Sequence, residues 1–206
     1  MLTIALPKGR LGDQTLEALK KIGLGDVVIE SSRRLIFEDE QKMMRYMLVK
    51  PSDVITYVEK GVADIGVIGK DSILEENLDV YELMDLGFGQ CKFAIAGKKG
   101  EVIHQRDEVL RVATKYPKIA LAYFSLRNQP IEIIKLNGSV ELAPLVGLSD
   151  VIVDIVETGS TLKANDLDIL EEMYPISAKL IANRVSYRFY YQRIQEITEK
   201  LKTVKG

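Results

Sequence analysis

The chain of 206 residues has one cysteine, one histidine and no tryptophan. A lone cysteine, Cys91, closes no intrachain disulfide, which fits a reducing compartment such as the cytoplasm. One Cys and one His cannot build a zinc site of the usual kind. His104 sits between Ile103 and Gln105-Arg106-Asp107, a polar stretch that reads as surface and gives it no evident partner. Neither a Ser-His-Asp nor a Cys-His nucleophile set can therefore be argued. Excess charge of one sign is also missing, since 28 Lys and Arg stand against 30 Asp and Glu, for a net charge of −2. That excludes a basic coat for nucleic acid or an anionic membrane, and no aromatic ladder offers another route to nucleic acid. No apolar run is long enough to cross a bilayer. The opening MLTIALPKGR meets Pro7 and Lys8 too soon for a signal-peptide apolar region. Repeats and low-complexity tracts are absent. With no general field, local basic clusters must be read as sites.

What is present is a rhythm of short apolar runs and amphipathic segments. LTIAL (residues 2–6) predicts a buried strand stopped by Pro7 and Gly9. Leu11, Leu16, Leu19 and Ile22 share one helical face, and Gly23 ends it. DVVIES, MRYMLVK, ADIGVIG, CKFAIAG, IEIIKLNG and DVIVDIV read as further strands. PSDVITYVEKG, IALAYFSLRNQ and VELAPLVGL read as helices, the first with Pro51 ahead of its cap. SYRFYYQRIQEITEKLKTV closes the chain as one helix with Ile194, Ile197 and Leu201 on a common face. Such alternation predicts an α/β fold with mostly parallel sheet. Gly-rich or polar crossovers suggest two lobes, residues 1–89 with 181–206 and residues 90–180. The default ligand site is then the cleft between them.

Two nucleotide motifs fail. GVIGKDS would be a Walker loop only with Gly at the position of Asp64 and Ser or Thr at that of Asp71. GFGQCK lacks the third glycine of a dinucleotide fingerprint. DIVETGSTLKAN, from Asp154 to Asn165, is different. A strand ending near Val156 and a helix beginning after Thr161 would leave backbone N–H groups unpaired at the turn. Gly159 permits close approach, and Thr158, Ser160 and Thr161 add hydroxyls, so the turn is a candidate anion cradle. Asp154 and Glu157 cannot hold phosphate. Beside an anion site, carboxylates suit vicinal sugar hydroxyls or a Mg²⁺ shared with a polyphosphate. A plain capped turn with solvated acids would use the same residues.

An acid four residues before T-G-x-T, with another just ahead of that motif, resembles the loop with which phosphoribosyltransferases hold 5-phosphoribosyl 1-diphosphate (PRPP). LPKGRL, SRRLIF, VKPSDVITYVEKGVADIGVIGKD, VATKYP, EIIKLNGSVELAPLVGLSDVIVDIVETGSTLKAN and ISAKLIANRVSYR, in this order over nearly the whole chain, resemble the catalytic chain of ATP phosphoribosyltransferase. The resemblance implies condensation of ATP with PRPP to phosphoribosyl-ATP and diphosphate, the first step of histidine biosynthesis, with Mg²⁺. It implies a two-lobed fold like the type II periplasmic binding proteins. It also implies the short form of the enzyme, which works in a hetero-octamer with a subunit resembling histidyl-tRNA synthetase.

Roles follow as expectations. Thr158, Gly159, Ser160 and Thr161 hold the 5′-phosphate, Asp154 and Glu141 take the ribose hydroxyls, and Glu157 lies beside them. Glu141 could equally be a helix-start acid. Departure of diphosphate needs cations, and Arg33, Lys8 and Lys50 follow strands at the rim where ligands bind in such sheets, with Arg34 beside them. ATP falls to Arg10, Asp71, Thr114 and Lys115, with Ser52, Asp53 and the Gly69-Lys70 turn as further candidates. Tyr116 reads as a packing residue. A two-lobed binding protein without chemistry would explain the anion cradle, but not the pairing of acids with TGST. A phosphoribosyltransferase using another base would not explain LPKGR or VKPSDV.

Overall fold

Leu2–Pro7 forms the first strand, β1, and all six of its residues are buried. Leu2, Ile4 and Leu6 pack in a core with Leu16 and Leu19 of helix α1 (Arg10–Lys21) and with Ile194, Ile197 and Leu201 of the last helix, α8 (Tyr191–Val204). Ala5 faces the other way, into a core with Val54, Ile55 and Val58 of α2 (Val54–Glu59). A strand covered on both faces loses its polar alternation, which is why this segment reads as an unbroken apolar run.

The computed structural model describes residues 1–28, 33–100, 103 and 109–204. The chain falls into two units, Met1–Gly89 with Ser177–Gly206, and Gln90–Ile176. The first unit adds β2 (Ile36–Asp39), β3 (Met44–Val49), β4 (Ile65–Gly69), β5 (Val80–Asp85) and β11 (Ala178–Asn183), in the order β2-β3-β1-β4-β11-β5. A short 3₁₀ turn, Pro51–Asp53, and α3 (Lys70–Glu76) follow β3 and β4. The second unit holds β6 (Cys91–Lys98), β7 (Leu110–Thr114), β8 (Ile131–Lys135), β9 (Val151–Val156) and β10 (Leu167–Ile176), in the order β10-β6-β9-β7-β8. Helix α4 (Pro117–Ser125) lies over one face with Val151 and Val153. Helices α5 (Leu142–Leu145) and α6 (Ser160–Ala164) lie over the other, with Ile152 and Val156. No described helix is long and apolar enough to cross a membrane.

Both sheets are mixed, not mostly parallel. β1 pairs in parallel with β3 and β4, and β7 with β8 and β9, but β2, β5, β6, β10 and β11 all run antiparallel to their neighbours. The parallel core comes from strands joined through helices. Apart from β6, which CKFAIAG marked, the antiparallel additions come from segments that the sequence pattern did not mark. β10 is one of these: it carries exposed acids and two register shifts against β6, which break its alternation. Of DVVIES, residues 26–28 form no strand and 29–31 lie outside the described residues, as does His104. The closing segment is two helices, α7 (Arg184–Phe189), which Asn183 caps by accepting from the Val185 and Ser186 amides, and α8, separated at Tyr190 with φ −109° and ψ 25°. Residues 178–180, expected in the second lobe, lie on β11 in the sheet of the first unit.

The two chain crossings are tied within the first unit. The Leu86 amide donates to the Ala178 carbonyl, and the Ala178 amide to the Phe88 carbonyl. Asp85 accepts from the Gly87 amide at 2.7 Å, from Lys179 Nζ at 2.8 Å and from Ser177 Oγ at 2.5 Å. Burial alone would raise its pKa. The hydrogen bonds from Lys179, Ser177 and Gly87 outweigh that and hold the carboxyl well below the usual carboxylate range.

Candidate active site

On β9 the side chains alternate. Val151 and Val153 face α4, while Ile152 and Val156 face α5 and α6. Asp154 therefore belongs to the α5/α6 face, near the end of the strand. Glu141 immediately precedes α5 and Thr158-Gly159 immediately precede α6, so the same face collects them. The result is a cavity of about 250 Å³ lined by Glu141, Asp154, Glu157 and Thr158 to Thr161, with Val156 and Leu162 behind.

The turn itself is built for backbone exposure. Gly159 has φ +74°, a left-handed conformation that strains a residue with a Cβ. No side chain caps α6. The Thr158 and Ser160 hydroxyls are 3.0 Å apart, and the Ser160 amide makes only a long contact to Thr158 Oγ1, at 3.4 Å. Helix α6 begins at Ser160 rather than after Thr161, so the Ser160 and Thr161 hydroxyls belong to its first turn and Thr158 precedes its cap. With only five residues it adds little dipole. Its donors are the local amides and hydroxyls.

The cations expected at the strand ends gather in the first unit. Pro7 and Val49 are register partners at the ends of β1 and β3, and the Lys8 amide donates to the Val49 carbonyl at 2.8 Å. Lys8 and Lys50 thus leave adjacent parallel strands side by side. Lys8, Arg33 and Arg34 line a second cavity of about 250 Å³ with an apolar floor of Leu6, Leu16, Leu35 and Leu48. Lys50 and Arg10 are not among its lining. Asp13, which sequence reasoning passed over, is; its signal was an acid in the first turn of the helix that follows PKGR. Among the described residues, Lys8, Arg33 and Lys50 form no ion pair with a carboxylate.

The remaining candidates separate. Asp71, in the first turn of α3, folds its carboxylate back over Gly69, where a Cβ would fall 2.0 Å from Oδ1. Lys70 is ion-paired with Glu82. Ser52 donates to Asp53 at 2.8 Å, and both are exposed. Lys115 is exposed at the end of β7, with its ammonium 5.9 Å from the Tyr116 ring centre. Tyr116 is buried and packs edge-on against Phe93. Thr114 is fully buried. Its hydroxyl donates to the Val153 carbonyl at 2.6 Å and accepts from the Tyr116 amide at 2.9 Å. Facing inward on both counts, that side chain cannot touch a nucleotide directly. No group of three or more His, Cys, Asp or Glu among the described residues is arranged to hold a metal ion.

Residues 50–203 match the family model described as HisG: ATP phosphoribosyltransferase. The chain belongs to the ATP phosphoribosyltransferase family. An ATP phosphoribosyltransferase of Clostridioides difficile is 64% identical over 95% of this chain and 94% of its own length. One from Caldicellulosiruptor bescii is 56% identical over 98% and 97%. Among solved structures, the ATP phosphoribosyl transferase (HisG:HisZ) complex from Thermotoga maritima matches at TM-score 0.86 and 40% identity, covering 99% of this chain and 98% of that one. The VFT2 domain of Bordetella pertussis BvgS matches at TM-score 0.60 and 14% identity, a likeness of fold alone. It fits the two-lobed α/β class expected from the resemblance to type II periplasmic binding proteins. Each unit carries its own candidate residues, the stretch from Glu141 to Leu162 in the second and the basic cavity with Lys8, Arg33 and Arg34 in the first.

Proposed function

We infer that the chain condenses ATP with PRPP to N1-phosphoribosyl-ATP and diphosphate, opening histidine biosynthesis in the cytoplasm. The observation that carries the site assignment is the cavity in which Glu141 and Asp154 meet the Thr158–Thr161 turn. Uncapped amides, three hydroxyls and a left-handed glycine suit a phosphate monoester, and two carboxylates beside them suit vicinal hydroxyls. PRPP presents both, the monoester on C5 and the vicinal hydroxyls on C2 and C3 of its ribose.

The chemistry needs no covalent enzyme intermediate. Adenine N1 attacks the anomeric carbon, the N1–C1′ bond forms, and the C1′–O bond breaks with its electron pair leaving on diphosphate. Positive charge develops on the ribose, where Asp154 and Glu141 hold the hydroxyls and set the ring's position. Glu157 borders the same pocket. Negative charge grows on the departing diphosphate, which falls to Arg33, Lys8 and Lys50. Fixed charges aimed at developing charge lower the barrier because they need no reorganisation during the reaction. Arg33 offers a planar fork for phosphate oxygens, and the two lysines act as point charges. Arg10, Asp71 and Lys115 remain on the ATP side. Mg²⁺ would come bound to the substrate polyphosphate, where it would neutralise oxygen charge.

The reading extends to assembly: a histidyl-tRNA-synthetase-like subunit joins this chain in a hetero-octamer, as in the short form of the family. The test is to incubate the chain with ATP, PRPP and Mg²⁺, with and without that subunit. Phosphoribosyl-ATP and diphosphate are then sought in equal amounts by mass spectrometry and diphosphate assay. Absence of the product in both mixtures would overturn the reading.

A further inference from the structure

A threonine hydroxyl in a wholly buried position is costly unless it is hydrogen-bonded, and valine would fill the same volume without that cost. Thr114 is 0% exposed, so its hydroxyl calls for a reason. It ends β7, which lies between β9 and β8. Its Oγ1 donates to the Val153 carbonyl on β9 at 2.6 Å and accepts from the Tyr116 amide at 2.9 Å. Its carbonyl accepts from the Leu136 amide, just past β8, at 3.0 Å. One residue therefore ties the ends of β7 and β8 to the middle of β9. Immediately beyond it lie Asp154, one residue after Val153, and the loop from Leu136 that leads to Glu141. Both acids line the cavity at the Thr158–Thr161 turn.

We propose that the Thr114 hydroxyl is a positioning group for the PRPP pocket, acting through the Val153 carbonyl to hold Asp154, the next residue, in place. This rests on the reading of that cavity as the PRPP site, and it moves Thr114 from the ATP side, where the sequence suggested it, to the ribose side. Strand alternation puts Thr114 on the α4 face with Leu110 and Val112, while its hydroxyl bonds across to β9, so the apolar and polar parts of the side chain separate by substitution. Thr114→Ala and Thr114→Ser differ from each other by one hydroxyl. Thr114→Val keeps the shape and removes the hydroxyl.

The experiment is calorimetric titration of each purified variant with PRPP and Mg²⁺, and separately with ATP, with thermal melts alongside. Loss of the buried hydrogen bond should weaken PRPP binding about ten-fold in Thr114→Ala and Thr114→Val, while Thr114→Ser stays within about three-fold of the parent. ATP affinity should be unchanged throughout. A merely structural role predicts lowered melting temperatures with parent-like PRPP affinity, and that result overturns the proposal. So does weakened ATP binding with PRPP binding intact. If Thr114→Ala and Thr114→Val do not fold, Thr114→Cys replaces them: its weaker donor should give a loss of PRPP affinity beyond that of Thr114→Ser, and parity with Ser refutes the role. Asp154→Ala is run in parallel. Parent-like PRPP binding by Asp154→Ala removes the pocket reading itself. Loss there with none at Thr114 removes only this inference.

Discussion

Replacing Gly12 by alanine should destabilise the protein, against the general rule for helices. In an exposed helix interior, Gly→Ala gains about 1 kcal/mol. Gly12 is buried in α1, and a Cβ there would lie 1.8 Å from the Pro7 carbonyl oxygen and 3.0 Å from its carbon. Unbonded heavy atoms settle roughly 3.5 Å apart, so α1 or the end of β1 must shift by more than about 1 Å. Neither moves freely: every residue of β1 is buried, and the Lys8 amide is held by Val49. Overpacking of this kind costs about 1–3 kcal/mol, and here it strikes backbone that cannot rotate away. At the upper end of that range, about 3 kcal/mol, the helix gain of about 1 leaves a net loss of about 2 kcal/mol. In urea unfolding that is a midpoint lower by about 1 M at a slope near 2 kcal/mol/M. Lys8 and Gly9 lie in the strained turn, so turnover should fall beyond what the loss of folded protein explains. A Gly12→Ala protein as stable as the parent, or more so, would refute the close approach of α1 to Pro7.

Charge reversal at Arg33, an exposed residue on the rim of the basic cavity, should cut kcat by about a hundred-fold while moving the unfolding midpoint little, because its side chain is exposed; steady-state kinetics and a urea melt on one preparation check both halves. Asp85→Ala removes three hydrogen bonds at the chain crossings and, with the site partly exposed, should cost about 1–2 kcal/mol near neutral pH. Because the Asp85 carboxyl is held below its ordinary range, the stability it contributes is present above its unfolded pKa, about 4, and is lost as pH falls toward the folded value. The gap between parent and variant melts should therefore be flat from neutral pH down to about 5 and narrow below about 4.

The parts of this molecule that could be read from sequence were those in which one segment carries its own signal. β1, α1, β9 and the α8 face are continuous or strictly periodic, and they stand where the pattern put them. The Asp154–Thr161 loop was legible because strand parity, small hydroxyl residues and a glycine all fall within eight residues. Glu141 was harder: it joins the same cavity only through the packing of α5 beside β9. β10 escaped because it is an edge strand whose exposed acids and register shifts blur a period of two, and β11, interior and almost wholly buried, because its apolar run is short and interrupted by Lys179. Thr114 misled for a different reason. Polar residues at strand ends point outward or inward with equal ease, and only the position of the Val153 carbonyl decides it. Asp85 likewise gave no signal, because its partners Ser177 and Lys179 are more than 90 positions away in the chain.

The central claim is that the turn from Thr158 to Thr161, with Asp154 and Glu141, holds PRPP. The direct measurement is calorimetric titration of the purified chain with PRPP and Mg²⁺, set beside the same titration of Asp154→Ala, with and without the synthetase-like subunit. The account predicts saturable binding to the parent and a loss of at least ten-fold in Asp154→Ala, since a carboxylate accepting two ribose hydroxyls contributes well over 1 kcal/mol. Equal affinity of parent and variant, under either condition, would contradict it.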